Sequence, residues 1–361
     1  MINTAIIGSG YWGINYVRLL QDLPHVRLSA VCDEDPSRLR SIHQRFPNLA
    51  VTIQMEDIFN RPEIDAVVVA TPAVTHYEIV KRALESKKHV LVEKPMATSV
   101  ADCESLVEIG DQCKKILMVG LTFLYNPGVE MLRGLISEPG FGRIYYLHCT
   151  RTNMGPIRQD VSSVWDLASH DLAICNFIMK WPPIWVQANG SKILDHQRDD
   201  VAFITLCYPG DVLANIHVSW INPSKVRQVV VVGSQRRIVF DDLDISERIR
   251  IFEKGIESSP DEVNNFGEFK FLIHDGEIRS PKVPAEEPLR NQVEHFLKCI
   301  ETGCNPISNG RVGLENVRLL SAIDQSLSQN GARIGLNEKN LVGADSRIIA
   351  LAGLSRYSSA A

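Results

Sequence analysis

Much of what would mark this chain as specialised is missing. Its eight cysteines, at 32, 103, 113, 149, 175, 207, 299 and 304, form no CxxC pair, which removes the usual zinc and redox spacings. Most sit in apolar stretches such as Ala30-Val31-Cys32, so they read as buried, reduced thiols rather than disulfides or metal ligands. No apolar run approaches the ~20 residues that span a bilayer. The N-terminus runs into the strand-like Thr4-Ala5-Ile6-Ile7 without a signal peptide's basic start and cleavage site. A soluble cytoplasmic protein with no membrane partner is expected. Blocks of like charge are absent too. A net charge of −5 over 361 residues leaves no concentrated basic field, which argues against a nucleic-acid partner.

What is present fits two domains. The length exceeds one typical core, and 45% hydrophobic residues supply material for both. Over residues 1–122, apolar strand runs at Thr4–Ile7, Val26–Asp33, Ala66–Ala70, His89–Val92 and Ile116–Gly120, with a weaker one near Val51–Ile53, alternate with helix-like stretches. Runs such as Ala66-Val67-Val68-Val69-Ala70 are continuously apolar, as in parallel strands covered on both faces. The pattern predicts a doubly wound α/β sheet. Residues 123–336 change character: strands follow one another from Ile144 to Asp241, predicting an α+β domain with a large, mainly antiparallel sheet. Residues 255–286 read as loops around one strand, Phe269–Ile273. Helices follow, one beginning at Pro288 and one carrying Val317, Leu320, Ile323 and Leu327. Residues 337–361 read as a tail. Val201–Tyr208 is apolar on both faces, which predicts a homo-oligomer, a dimer or tetramer, built partly on this sheet.

Gly8-Ser9-Gly10-Tyr11-Trp12-Gly13 has the GxGxxG spacing between a strand and a helix. Gly8 permits the turn, Gly10 lets backbone approach a pyrophosphate, and Gly13 lets the helix pack close. The fold expected is therefore a Rossmann domain. Asp33 closes the second strand, where an acid binds ribose hydroxyls or simply caps the next helix. With Glu34 beside it, NAD is favoured over NADP, although Arg38 and Arg40 lie further along. Thr71-Pro72 ends the fourth strand on the ligand edge. His76 follows, either touching the nicotinamide ribose or merely starting a helix.

Two segments carry candidate chemistry. Glu93-Lys94-Pro95 ends the fifth strand, where Lys94 either hydrogen-bonds a substrate hydroxyl or is a surface lysine. In Trp165-Asp166-Leu167-Ala168-Ser169-His170-Asp171, a helix expected from Asp166 to Lys180 puts Asp166 and His170 one turn apart. A histidine beside a carboxylate suits a general base, and an unrelated pair is the alternative. No HExxH or HxxxH spacing supports a metal site.

These motifs together resemble the Gfo/Idh/MocA oxidoreductases over nearly the whole chain, including Tyr125-Asn126-Pro127, Gly142-Arg143-Ile144 and Gly303…Pro306. The resemblance implies Lys94 and His170 as a catalytic pair with Asp166 helping to hold substrate. It also implies a cofactor set of Gly8, Gly10, Tyr11, Trp12, Gly13, Asp33, Thr71, Pro72, His76, Glu93, Lys94 and Tyr125. A narrower resemblance, through Arg151-Thr152-Asn153-Met154-Gly155, Asp160 and Trp165–Asp171, is to the family's nucleotide-sugar dehydrogenases. It implies oxidation at C3 of UDP-N-acetylglucosamine or its uronic acid, with Arg151, Asn153, Arg158 and Asp160 as polar contacts. Similar loops occur in relatives acting on free sugars, inositols or glycosides. A non-catalytic NAD-binding regulator on this fold would be expected to lose Lys94 or His170.

Overall fold

The computed structural model describes residues 1–158, 161–194, 197–258 and 271–336. The chain divides into two compact units, Met1–Asn126 with Ala285–Ser321, and Pro127–Pro284 with the chain from Ala322 onward. Asp160, the first part of the expected strand Phe269–Ile273, and the expected tail 337–361 lie outside the described residues.

The first unit opens with strand–helix steps: β1 (Ile2–Ile7), α1 (Gly13–Asp22), β2 (Val26–Cys32), α2 (Pro36–Arg45), β3 (Ala50–Thr52), α3 (Glu56–Phe59), β4 (Ala66–Val69), α4 (His76–Glu85), β5 (His89–Glu93), α5 (Val100–Cys113) and β6 (Leu117–Gly120). The six strands make one parallel sheet in the order β3-β2-β1-β4-β5-β6. All of β4 is buried, the outcome that its unbroken valine run demands of a strand covered on both faces. Local chemistry sets the helix starts. Asp35 accepts the Ser37 N–H at 2.8 Å with Pro36 in the first turn, and Ser99 accepts the Asp102 N–H at 3.1 Å. The strand order reverses between β1 and β4, which leaves a crevice at their carboxyl ends.

The second unit continues with α6 (Pro127–Ile136), β7 (Ile144–Met154), a π-helical turn (Val164–Ala168), α7 (Ser169–Met179), β8 (Trp185–Ser191), β9 (Val201–Tyr208), β10 (Val212–Ser219), β11 (Ile221–Gly233), β12 (Arg237–Asp241), β13 (Ile249–Ser258) and β14 (Phe271–Arg279). After α8 (Pro288–Thr302) and α9 (Gly310–Ser328), β15 (Ile334–Gly335) completes a nine-stranded sheet, β14-β13-β12-β11-β7-β10-β9-β8-β15. Its pairs are antiparallel apart from β7 with β10. Ala214, Ile216 and Val218 face the core with Ala202, Ile204 and Leu206, while Leu213 and Phe203 point to the exposed face.

Two expectations need correction. Residues 255–286 are not only loops around one short strand at Phe269–Ile273: β13 reaches Ser258 and β14 runs from Phe271 to Arg279, and the two pair along most of their length, because ladder bonds and a neighbour at β12 outweigh weak local propensity. The stretch 123–336 is also not one continuous unit, since Ala285–Ser321 returns to the first. Gln292 of α8 donates to the Tyr16 hydroxyl at 2.8 Å, and Val119 of β6 donates to the Ser308 carbonyl at 2.7 Å.

Candidate active site

In the first unit the site begins at the turn after β1. Gly8 has φ +92°, and its N–H donates to the Cys32 carbonyl at 2.8 Å. A Cβ on Gly13 would lie 2.0 Å from the Gly8 carbonyl oxygen, so close helix packing requires glycine there. Gly10 differs: the nearest atom to a Cβ would be Arg38 Nη1 at 3.6 Å. Protein packing does not ask for glycine at that position, so the space suits an approaching ligand. Tyr11 is 82% exposed beside half-exposed Trp12, their rings edge-on at 5.5 Å.

Asp33 is buried at the end of β2. Its Oδ2 accepts from the Ser9 N–H at 2.6 Å and the Ser9 hydroxyl at 2.7 Å, and its Oδ1 from the Asp35 N–H at 2.9 Å. Burial alone would raise its pKa. These hydrogen bonds, helped by Arg38 with Nη1 3.6 Å away, outweigh burial and hold it below the ordinary carboxylate value. Helix capping falls to Asp35 instead. An ionised acid here suits ribose hydroxyls and opposes a 2′-phosphate. Ser9, an unremarked x of GxGxxG, is the residue that spacing rules could not single out.

At the ends of β4 and β5, His76 is 1% exposed, with Nδ1 2.7 Å from the Pro95 carbonyl oxygen and Nε2 3.0 Å from that of Thr71. It braces the Thr71-Pro72 and Lys94-Pro95 segments. Glu93 Oε1 accepts the Tyr16 hydroxyl at 2.6 Å, and Gln292 supports that hydroxyl from α8 while accepting from Thr122 at 2.8 Å. Lys94 is 8% exposed, so it is not the surface lysine of the alternative reading. Tyr125 is buried, its hydroxyl 2.8 Å from Ser308 Oγ.

The second unit holds the other candidates. Instead of one α-helix from Asp166, the chain makes the wider turn Val164–Ala168 before α7; such turns recur at functional sites. Asp166 Oδ1 accepts from Arg158 Nη1 at 3.2 Å, and its Oδ2 from Trp220 Nε1 at 3.4 Å. His170 is half-buried on the first turn of α7. Its neighbour Asp171 makes a bidentate pair with Arg151 of β7, at 2.8 and 2.9 Å. Arg151 is only 3% exposed, so this guanidinium anchors α7 to the sheet. Asn153 donates to the Gly155 carbonyl.

Room at Gly10 and charge at Asp33 suit a dinucleotide's pyrophosphate and ribose, and the first unit is that of a dinucleotide-dependent oxidoreductase. The chain belongs to the Gfo/Idh/MocA family: residues 2–121 match its oxidoreductase family domain, an NAD-binding Rossmann fold, and residues 129–239 match its C-terminal domain. It is 25% identical to a 2,7-anhydro-N-acetylneuraminate hydratase of Mediterraneibacter gnavus, over 69% of this chain and 70% of that protein. It is also 25% identical to a myo-inositol 2-dehydrogenase of Thermotoga maritima, over 70% of this chain and 78% of that one. Among solved structures, UDP-N-acetylglucosamine 3-dehydrogenase GnnA from Acidithiobacillus ferrooxidans shares the fold with a TM-score of 0.78 at 20% identity, covering 91% of this chain and 98% of that one.

Proposed function

We propose that the chain reversibly oxidises a secondary hydroxyl of a sugar, at C3 of a nucleotide-activated sugar such as UDP-N-acetylglucosamine or its uronic acid. The buried residue Lys94, at the carboxyl end of parallel strand β5, carries this reading. A lysine on this edge of the sheet can hydrogen-bond a hydroxyl that is losing its proton. NAD supplies the hydride acceptor. Lys94 hydrogen-bonds the substrate oxygen and stabilises its growing charge, while His170 takes the proton. Asp166, steadied by Arg158 and Trp220, orients the ring or the imidazole. Arg158 and Asn153 remain candidates for sugar contacts, and Arg151 serves by anchoring α7.

The likeness in fold to a UDP-N-acetylglucosamine 3-dehydrogenase supports the nucleotide sugar. The inositol dehydrogenase relative supports a second reading, a free sugar, inositol or glycoside as substrate. Reduced nicotinamide absorbance, followed with NAD and each of UDP-N-acetylglucosamine, its uronic acid, glucose, myo-inositol and a simple glucoside, separates them. A signal confined to UDP-sugars is expected; a signal only with the others selects the second reading. With the active substrate, Lys94→Ala and His170→Ala should each lower turnover by roughly 10²–10⁴ while NAD still binds. Near-wild-type turnover in either variant removes that residue from the chemistry.

We also infer that the chain self-associates through the outer face of the nine-stranded sheet. Tyr146, Phe203, Leu213, Ile273 and Ile278 are exposed on that face, and an apolar surface of this extent calls for cover.

A further inference from the structure

Helix α8 ends in a reversal that pairs two thiols. Gly303 has φ +70°, and its N–H donates to the Cys299 carbonyl at 2.9 Å. The chain therefore folds back over the last turn and brings Cys304 Sγ to 3.3 Å from Cys299 Sγ. The two sulfurs are unequal: Cys304 is exposed and Cys299 is buried. Beyond Cys299, His295 Nε2 lies 3.4 Å from its sulfur. The Ile307 N–H donates to that same Nε2 at 3.2 Å, so this nitrogen carries no proton and its single lone pair is already engaged.

We propose that Cys299 and Cys304 form a reversible dithiol–disulfide site for hydrogen peroxide, in which buried Cys299 rescues exposed Cys304 from irreversible oxidation. Cys304 is the attacking sulfur, since the Thr302 hydroxyl and then Cys299 hold its thiol below the ordinary value. Burial, followed by the neighbouring Cys304, pushes Cys299 up to about 12. The Cys304 thiolate attacks one peroxide oxygen: an S–O bond forms and the O–O bond breaks. The departing hydroxide takes up the proton the thiol gave, leaving a sulfenic acid and water. Cys299 attacks the sulfenic sulfur as its own proton passes to the departing hydroxyl. The S–O bond breaks, hydroxide leaves with that proton as a second water, and the disulfide closes. One peroxide is thus reduced as two thiols are oxidised, and an external dithiol returns two electrons and two protons. Rotation about the two Cα–Cβ bonds can bring the sulfurs to bonding distance.

The surroundings favour this reading over others. Among the described residues, no group of three His, Cys, Asp or Glu side chains is placed to hold a metal ion. Cys149 and Cys175 also approach, to 3.6 Å, but both are buried, which closes them to an oxidant.

Trypsin cuts after Lys298 and Arg311, so residues 299–311 form a single peptide containing these two cysteines and no others. The reduced full-length protein is treated with stoichiometric peroxide, denatured, alkylated, digested and weighed. The peptide is expected to be lighter by two hydrogens and to carry no alkyl group, with dithiothreitol restoring both alkylation sites. Cys149 and Cys175 should stay alkylatable. Under the same dose, Cys299→Ser should drive Cys304 to sulfinic and sulfonic acid, roughly tenfold or more above the unmodified sequence. Sulfinic acid or alkylation at Cys304 with Cys299 still a thiol, in the unmodified protein, overturns the proposal whether or not the variant folds.

Discussion

Buried Asp33 and half-buried His89, in the same unit, resolve the loss of water in opposite ways. Asp33 keeps its charge because three donors point at it. His89 stays neutral: burial, then the charge of Lys115, pushes its pKa down to about 4, while its Nδ1 accepts the Ile116 N–H at 3.1 Å. In the unfolded chain it titrates near ~6.5. Above that pH both states hold it neutral. Between about 6.5 and 4 the unfolded chain takes a proton that the folded chain refuses, so stability falls as pH drops through this window. His89→Asn, which keeps an acceptor for Ile116, should flatten the melting-temperature profile between those limits; parallel profiles would remove His89 as the cause. At this scale the sequence exposed the motif positions but not their supporters. Spacing points to Asp33, and the family resemblance singles out Lys94 and Asp166, whereas Ser9, Trp220 and Asp171 act through partners 24, 54 and 20 residues away, separations that no periodicity encodes.

Elements separate a glycine that close packing requires, Gly13, from one that it does not, Gly10. Gly13→Ala forces a Cβ into the Gly8 carbonyl and should cost about 1–3 kcal/mol or more. Gly10→Ala meets no protein atom closer than 3.6 Å. It should leave stability within about 0.5 kcal/mol and weaken NAD binding by tenfold or more, on the order of 1.4 kcal/mol. Denaturation and cofactor titration of the two variants read these separately, and equal damage from both would end the distinction. The anchor of α7 offers a second test. Arg151→Met strands the Asp171 carboxylate in the core and should lower urea stability by about 3–5 kcal/mol. Adding Asp171→Leu should recover most of it, and no recovery would mean that Arg151 acts elsewhere. The Rossmann strands were legible because each is a short, unbroken apolar run between turn signals. β13 and β14 were not: Lys254, Gly255, Asp275 and Gly276 break their pattern, and what holds them is pairing with a neighbouring strand.

For the molecule as a whole, the outer face of the large sheet is the feature to disturb. Phe203, 51% exposed, stacks on His217 at 4.5 Å. Phe203→Glu should convert an assembly to monomers by light scattering while leaving the melting profile of the first unit in place; an unchanged mass would clear this face of the role. The alternation that exposes Phe203 and Leu213 is readable in the sequence. The return of Ala285–Ser321 to the first unit is not, because periodicity marks the apolar stripe of α8 but not its distant partners, such as Tyr16 for Gln292.

That return bears on how the protein is made. A cofactor-binding half encoded as one N-terminal block could complete its core as soon as it left the ribosome. Here Tyr16 and β6 must wait for Gln292 and Ser308, which emerge only after residues 127–284 have been translated. At ~5–20 residues per second, that delay is on the order of ten seconds or more, during which the nascent sheet is without its last helices. A fragment ending near residue 122 would be arrested in that same unfinished state.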